Sequence, residues 1–174
     1  MHPVDELVAE LSRARQGLLR AVENLTQADV DRRPSPDAWS PGEVLDHLAK
    51  SEAGTVKVCG RLLREAHAAG AGPDDTVRSQ LRTLDFASLD DREQRHTSPD
   101  FVHPERGAPK DDLLNRLAAS RVKLLEVARR AKGTDLTGSS FPHPLLGPLT
   151  LYQWLVFIAQ HEARHTEQIL EDRR

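Results

Sequence analysis

Apolar residues recur at intervals of three and four along most of this chain, and this periodicity constrains the fold more than any other feature. Such spacing places the apolar side chains on one face of an α-helix, whereas a half-buried strand needs alternation with a period of two. No stretch of useful length alternates in that way. The sequence therefore predicts an all-α protein in which each helix has one buried face.

The first two predicted helices have clear ends. The first runs from Val4 to Leu25, and the two prolines within residues 33–36 prevent its continuation. The second begins at a capping box, in which Ser40 caps the amide of Glu43 and Glu43 reaches back, and it ends at residues 70–73, Gly-Ala-Gly-Pro. Its predicted inner face carries His47 together with Val44, Leu48, Ser51, Thr55, Val58 and Leu62.

Two further helices follow a long connection. Residues 73–109 are rich in breakers and predict an irregular segment, in which 76–84 is compatible with a short helix. The third helix covers about residues 110–132 and stops at Gly133, and residues 138–148 are predicted as loop. A second capping box, Thr150 with Gln153, opens the last helix, whose inner face is Trp154, Ile158, His161, His165 and Ile169. Four helices of these lengths predict a single four-helix-bundle domain over residues 1–174.

Composition narrows the classes of partner. Lys and Arg total 24 against 27 Asp and Glu, so the net charge of −3 gives no reason to expect nucleic acid or an anionic membrane surface. No apolar run approaches the roughly 18 residues that a spanning helix needs, and the N-terminus lacks the features of a signal peptide. Cys59 is the one cysteine, which excludes an internal disulfide. We therefore expect a cytoplasmic protein without a nucleic-acid or membrane partner.

Three histidines on predicted inner faces are the candidate functional residues. His161 and His165 are four positions apart, so both imidazoles project from one face of the last helix, and His47 lies on the inner face of the second. A buried imidazole costs stability unless it is hydrogen-bonded or ligates a metal. Three such rings from two helices can supply an open zinc-type site. On the residues alone, this interpretation and that of three hydrogen-bonded core histidines both stay open.

The remaining histidines and the cysteine have simpler interpretations. His143 is the strongest substitute ligand because its loop leads into the last helix, and His2 is expected to belong to a mobile terminus. Cys59 lies twelve residues beyond His47, roughly 18 Å further along a continuous helix, which predicts a buried structural thiol rather than a ligand. Exposure is expected for the other histidines, His67, His96 and His103.

The string His161-Glu162-Ala163-Arg164-His165 also matches the short signature of zinc proteases. The extended form of that signature needs Gly and His where this chain has Gln168 and Glu171. Glu162 points about 100° away from His161 on a helix, which suits a supporting contact but leaves it without a protease cleft. Peptidase activity is therefore not expected.

Two segments resemble the DinB-like superfamily. One is residues 38–48, Ala-Trp-Ser-Pro-Gly-Glu-Val-Leu-Asp-His-Leu; the other combines residues 143–150, His-Pro-Leu-Leu-Gly-Pro-Leu-Thr, with Trp154 and the pattern His161-x-x-Arg164-His165-x-x-Gln168-Ile169. The resemblance implies an up-down-down-up four-helix bundle, commonly homodimeric. It also implies that His47, His161 and His165 ligate a divalent ion, usually zinc or nickel.

The same resemblance implies a metal-dependent thiol S-transferase that uses bacillithiol, mycothiol or glutathione on small electrophiles in stress or detoxification. A metal-dependent hydrolase that activates water is one alternative, and a non-catalytic, metal-stabilised dimeric binding module is another, so enzymatic activity itself stays open. Glu162 and Arg164 are candidates for a contact with substrate or with the ligands. Glu43 can orient His47, although its role in the capping box is the favoured one.

Overall fold

The computed structural model describes residues 2–73 and 100–172, so the helix considered over 76–84 lies outside the described residues. The four predicted helices are present, together with a short additional helix, a 3-10 turn and a small hairpin. In chain order the elements are α1 (Pro3–Val22), α2 (Gln27–Asp31), α3 (Pro41–Ala68), the 3-10 turn Asp100–Val102, α4 (Lys110–Ala131), β1 (Phe141–His143), β2 (Gly147–Leu149) and α5 (Leu151–Glu171).

Local sequence signals mark the helix ends. Both predicted capping boxes are present: that of Ser40 begins α3, and that of Thr150 begins α5. Helix α4 ends at Ala131, and Gly133 takes a φ of +80°, the left-handed conformation that favours glycine after a helix. Helix α1 ends at Val22, earlier than predicted, because a further capping box at Thr26 starts the separate helix α2.

Contacts between the helices establish the direction in which each helix runs. Asp46 and Glu52 of α3 pair in that order with Arg116 and Arg121 of α4, so these two helices run parallel. The first turn of α1 lies at the end of α4, where Asp5 pairs with Lys132, so α1 and α4 are antiparallel.

The last helix completes the arrangement. The start of α3 meets the C-terminal half of α5 at His47 and His161, whereas Cys59, later in α3, faces Leu151 at the start of α5. Helices α3 and α5 are therefore antiparallel, and α5 runs in the direction of α1. The predicted up-down-down-up topology is confirmed.

The interior consists of two apolar clusters stacked along the bundle. One lies towards the start of α1 and α5, with Leu11, Cys59, Leu124 and Tyr152 among its fully buried members. The other surrounds the start of α3 and includes Leu18, Val44, Leu45, Leu117 and Ile169. No helix in the described part of the chain is long and apolar enough to cross a membrane.

Charged residues occupy inner positions that the apolar pattern assigned differently. Arg15 of α1 is buried. In α3 the prediction placed Ser51 on the inner face, but Ser51 is only half-buried and its neighbour Glu52 is buried instead. The prediction placed the inner face of α3 one residue too early at this point, because it counted apolar and small side chains as the buried ones. Arg121 of α4 and Glu162 of α5 are buried beside them.

The segment 138–148 was predicted as loop, and this is wrong in part. Strands β1 and β2 pair antiparallel, with Phe141 opposite Leu149 and His143 opposite Gly147. Two prolines of the hairpin, Pro142 and Pro148, lie opposite each other, where the missing N–H groups cost no ladder hydrogen bond. The hairpin leads directly into α5.

Candidate metal centre

His47, His161 and His165 converge at one end of the bundle. The antiparallel packing of α3 and α5 brings the second turn of α3 against the C-terminal half of α5. One potential ligand atom from each histidine lies within 4.8 Å of the others. The ring centroids form a nearly equilateral triangle, with separations of 5.0 Å for His47 to each of the other two rings and 4.6 Å between His161 and His165.

Two of the three imidazoles have their tautomers set by oxygen acceptors. His47 Nδ1 lies 2.8 Å from the backbone carbonyl oxygen of Val102, and His165 Nδ1 lies 2.9 Å from Gln168 Oε1. Both oxygens only accept, so each Nδ1 carries the proton and donates it. The Nε2 atoms of His47 and His165 are left with lone pairs, which is the arrangement that outer contacts impose on metal-ligating histidines.

The third ring, His161, has an incomplete set of partners. Its Nε2 lies 3.1 Å from His47 Nε2, and its buried Nδ1 has no hydrogen-bond partner among the described residues. With Zn–N bonds of about 2.0–2.1 Å, two ligand nitrogens on a tetrahedral zinc ion lie about 3.3 Å apart. The spacing of the two Nε2 atoms, the protonated Nδ1 of His47 and the neutral donor set together fit a divalent ion.

Burial keeps these histidines neutral. It is the largest cause that lowers the pKa of His165 to about 3 and the pKa of His161 well below its usual value. The neighbouring imidazoles add to this: His165 and His47 lower the pKa of His161 further, and His47 lowers that of His165. Burial also lowers the pKa of His47, against the opposing effect of the hydrogen bond to Val102. Neutral imidazole is the form that ligates metals, so the cluster does not need to lose protons at neutral pH.

Aromatic rings flank the cluster on two sides. Trp39, which precedes α3, stacks on His165 with a centroid distance of 6.2 Å and an interplanar angle of 20°, and it lies 4.9 Å from His47. Phe157 stacks on His161 at 5.2 Å. Trp39 is half-buried, whereas Phe157 is buried. His47 is buried, and His161 and His165 are half-buried, so the cluster is partly shielded from solvent and has an indole at its edge. Electrostatic interactions are stronger there than in bulk water.

The acidic residues predicted near the cluster have other partners. Glu43 closes the capping box with Ser40 and pairs with Arg33, whose Nε lies 2.7 Å from Glu43 Oε2. The Val102 carbonyl, not Glu43, holds His47. Glu162 is buried, and its two oxygens accept hydrogen bonds of 2.5 Å from Arg15 and Arg121.

Arg164 is half-buried, and its positive charge adds a smaller lowering to the pKa values of His161 and His165. The sequence offered no signal for Val102, because it lies in the segment where no pattern was recognised. Gln168 was visible only as part of the family resemblance.

The other histidines lie outside the cluster. His143 packs against Phe157 with a centroid distance of 4.4 Å, and its Nδ1 accepts from the amides of Leu145 and Leu146, so it closes the hairpin turn. His2 is the N-cap of α1 rather than a free end. His67 and His103 are exposed as predicted, and position 96 lies outside the described residues.

Comparison with known proteins gives the family. The chain is 28% identical, over 91% of both chains, to the uncharacterized protein YuaE of Bacillus subtilis (strain 168). Its fold is shared by the four-helix bundle protein TT2238, with a TM-score of 0.66, 24% identity and coverage of 97% of this chain and 98% of the other. It is also shared by a conserved protein from Enterococcus faecalis, with a TM-score of 0.65, 19% identity and coverage of 100% and 96%. The model of the DinB superfamily matches residues 10–169, and the chain belongs to that superfamily.

Proposed function

We propose that this protein is a divalent-metal-dependent enzyme that transfers a low-molecular-weight thiol to a small electrophile. The main observation in support of this proposal is that three neutral imidazoles, those of His47, His161 and His165, converge. Each offers a ligand atom within 4.8 Å of the other two. Two of them already donate Nδ1–H to oxygen acceptors and so present Nε2. Zinc and nickel are the proposed ions, since both accept imidazole ligands.

The proposed ion, when bound, supplies Lewis acidity that lowers the pKa of a coordinated thiol, so that thiolate is present at neutral pH. The chain's own thiol does not meet this need. Cys59 is fully buried, and burial raises the pKa of its thiol far above its usual value. The reactive thiol is therefore a separate molecule, of the bacillithiol, mycothiol or glutathione type.

The state of the neighbouring carboxylates supports transfer over hydrolysis. A hydrolase benefits from a general base that takes a proton from water. Glu43 and Glu162 are bound by arginines. Asp46, next to His47, accepts from Arg116 at 2.6 Å, from Lys50 at 2.9 Å and from the amide of Glu105 at 2.9 Å. Hydrogen bonds from cationic side chains occupy all three carboxylates. Burial raises the pKa values of Glu43 and Asp46, but their hydrogen bonds outweigh this effect and leave both pKa values below the usual range. A thiol, in contrast, brings its own nucleophile.

Two residues at the edge of the cluster are assigned to the substrates in this proposal. The half-buried face of Trp39 suits the apolar part of an electrophile. The guanidinium of Arg164 suits a carboxylate of the thiol, since its charge already acts on His161 and His165. Family resemblance adds a homodimer to the proposal, and the composition of the sequence adds a cytoplasmic location. Light scattering tests the first, and cell fractionation tests the second.

The deciding experiment combines metal analysis with a substrate panel. Protein purified without a histidine tag is analysed for zinc and nickel, and it is then assayed with each thiol and a set of alkyl and epoxide electrophiles. Wild-type protein should contain about one ion per chain and convert at least one pair. His47→Ala should lose both properties, and His67→Ala, an exposed histidine on the same helix, should lose neither.

Other outcomes separate the alternatives. Metal-dependent ester or amide hydrolysis without thiol transfer assigns the site to a hydrolase. Stoichiometric metal without any turnover, combined with a large fall in thermal stability on chelation, assigns it to a structural ion in a binding module. Absence of metal under all loading conditions overturns the proposal.

A further inference from the structure

Four buried charged side chains lie at the middle of the bundle, one on each of its long helices. They are Arg15 of α1, Glu52 of α3, Arg121 of α4 and Glu162 of α5. None is more than 9% exposed. Two arginines and two glutamates give the group no net charge. We call these four residues the charged ring.

Each arginine of the ring contacts both glutamates. Arg15 donates from Nε to Glu162 and from Nη2 to Glu52, both at 2.5 Å. Arg121 donates from Nε to Glu52 at 2.7 Å and from Nη2 to Glu162 at 2.5 Å. The remaining guanidinium nitrogens donate to main-chain carbonyls, of Leu117 on α4 and of Leu11 on α1. All four side chains are satisfied, and the circuit closes through all four helices.

The ring separates the two apolar clusters of the interior. Along α1, Arg15 lies between Leu11 of one cluster and Leu18 of the other. Along α4, Arg121 lies between Leu124 and Leu117 in the same way. Apolar packing is non-directional and tolerates small shifts between helices. Arginine–carboxylate pairs are directional, because the planar fork matches the carboxylate in one orientation.

The two glutamates of the ring belong to the two helices that carry the histidines. Glu52 follows His47 on α3, and Glu162 lies between His161 and His165 on α5. Both arginines join these same two glutamates, so the ring sets the relative register of α3 and α5. We propose that the charged ring positions the metal ligands, by fixing the rotation of α5 and its height against α3. A slip of one residue turns a helical side chain by about 100°, which would remove His161 and His165 from His47.

Stability alone gives a poor account of the ring. Desolvation of four charges offsets much of their mutual attraction, and apolar side chains of similar volume are often as stabilising at such positions. What apolar side chains lack is the single geometry that the ring imposes. Glu162 and its ring partners are thus positioning residues, which act on the metal through His161 and His165.

The test uses cobalt(II), whose visible absorption reports the geometry of its ligands. This inference rests on the proposed metal centre, so wild-type protein is titrated first. Glu162→Gln and Arg121→Lys each keep a polar group of similar length but remove the paired geometry. The control is Tyr152→Phe, which removes a buried hydrogen bond of 2.7 Å to the Ala131 carbonyl elsewhere on α5. All variants are compared at a temperature where circular dichroism shows them folded.

We expect Glu162→Gln and Arg121→Lys to weaken cobalt binding about 10- to 100-fold, as loss of groups that orient ligands does. Their cobalt spectra should change in band position or intensity, while Tyr152→Phe keeps the wild-type spectrum and affinity. If one ring variant does not fold, the other decides. Wild-type affinity and spectrum in a folded ring variant overturn the positioning role and leave the metal centre intact. If wild-type protein binds no cobalt, the metal centre itself is wrong and the inference falls with it.

Discussion

His47 Nε2 and His161 Nε2 lie 3.1 Å apart, although 114 positions separate the two residues in the chain. Since His47 donates Nδ1–H to the Val102 carbonyl, its Nε2 presents a lone pair towards the other ring. Two imidazole nitrogens at this spacing share either a proton or a cation. A shared proton would involve only these two nitrogens, whereas His165 also presents a free Nε2 and all three histidines offer a ligand atom within 4.8 Å of the others, which makes the cation the better account.

Gln168 should matter for metal affinity although it contacts the cluster only through His165. Its Oε1 accepts from His165 Nδ1 at 2.9 Å and so keeps Nε2 free of a proton. We expect Gln168→Ala to raise the zinc dissociation constant about 10- to 100-fold, measured by competition with a chromophoric chelator. Gln168→Glu retains an acceptor and should bind at least as tightly as wild type. Gln160→Ala, an exposed position on the same helix, is the matched control; an equal loss in that variant would contradict the role of Gln168.

Trp39 should report metal binding directly. Its ring lies 4.9 Å from the ring of His47 and stacks on His165, so an open-shell ion held there quenches the indole at close range. Titration with nickel or cobalt should lower the tryptophan fluorescence of wild type and of Trp154→Phe. In Trp39→Phe, where only Trp154 remains, most of the quenching should disappear. Persistence of the full effect in Trp39→Phe would place the ion elsewhere.

Cys59 should be inert in the folded protein. The side chain is fully buried, and burial raises the pKa of the thiol, so thiolate is absent across the neutral and mildly alkaline range. A disulfide reagent should react with about one thiol per chain in denaturant and with almost none under native conditions. Cys59→Ala should retain thiol transfer. Rapid native modification that inhibits turnover would instead make Cys59 part of the reaction.

The metal-free protein should lose stability on mild acidification. Burial lowers the folded-state pKa of His165 from 6.5 to about 3, so the unfolded chain binds the proton more readily. The contribution is complete above the unfolded value and declines as the pH falls below it. At about pH 5 the loss for His165 is about 2 kcal/mol, and His47 and His161 change stability in the same direction.

Chemical denaturation at about pH 7 and pH 5 measures this difference. His165→Gln removes one titrating group and should make the pH dependence shallower by roughly the same 2 kcal/mol. His67→Gln changes an exposed histidine and should leave the difference as it is in wild type. A stability of the metal-free protein that does not respond to pH would show that these imidazoles are solvated.

Short-range patterns were sufficient for the four long helices and for the faces that carry the histidines, although the short helix α2 was not predicted. The capping boxes at Ser40 and Thr150 depend on residues three positions apart, and the apolar face of α5 depends on spacings of three and four. Interactions between residues so close in the chain can be predicted from the local sequence. The positions of His47, His161 and His165 on inner faces follow from the same local rules.

Only the tertiary structure shows which residues of other segments contact the inner faces of these helices. The contact of His47 with the Val102 carbonyl joins residues 55 positions apart, and the charged ring joins side chains from four helices. The apolar pattern did not predict that Arg15 and Glu52 are buried. A charged side chain is expected at the surface unless a partner of opposite charge is known to be buried beside it. That partner lies on another helix, so its presence depends on the direction and register in which the helices pack. The sequence by itself determined the helices and the inward histidines; packing between distant segments determined the ligand triangle and the charges that hold it.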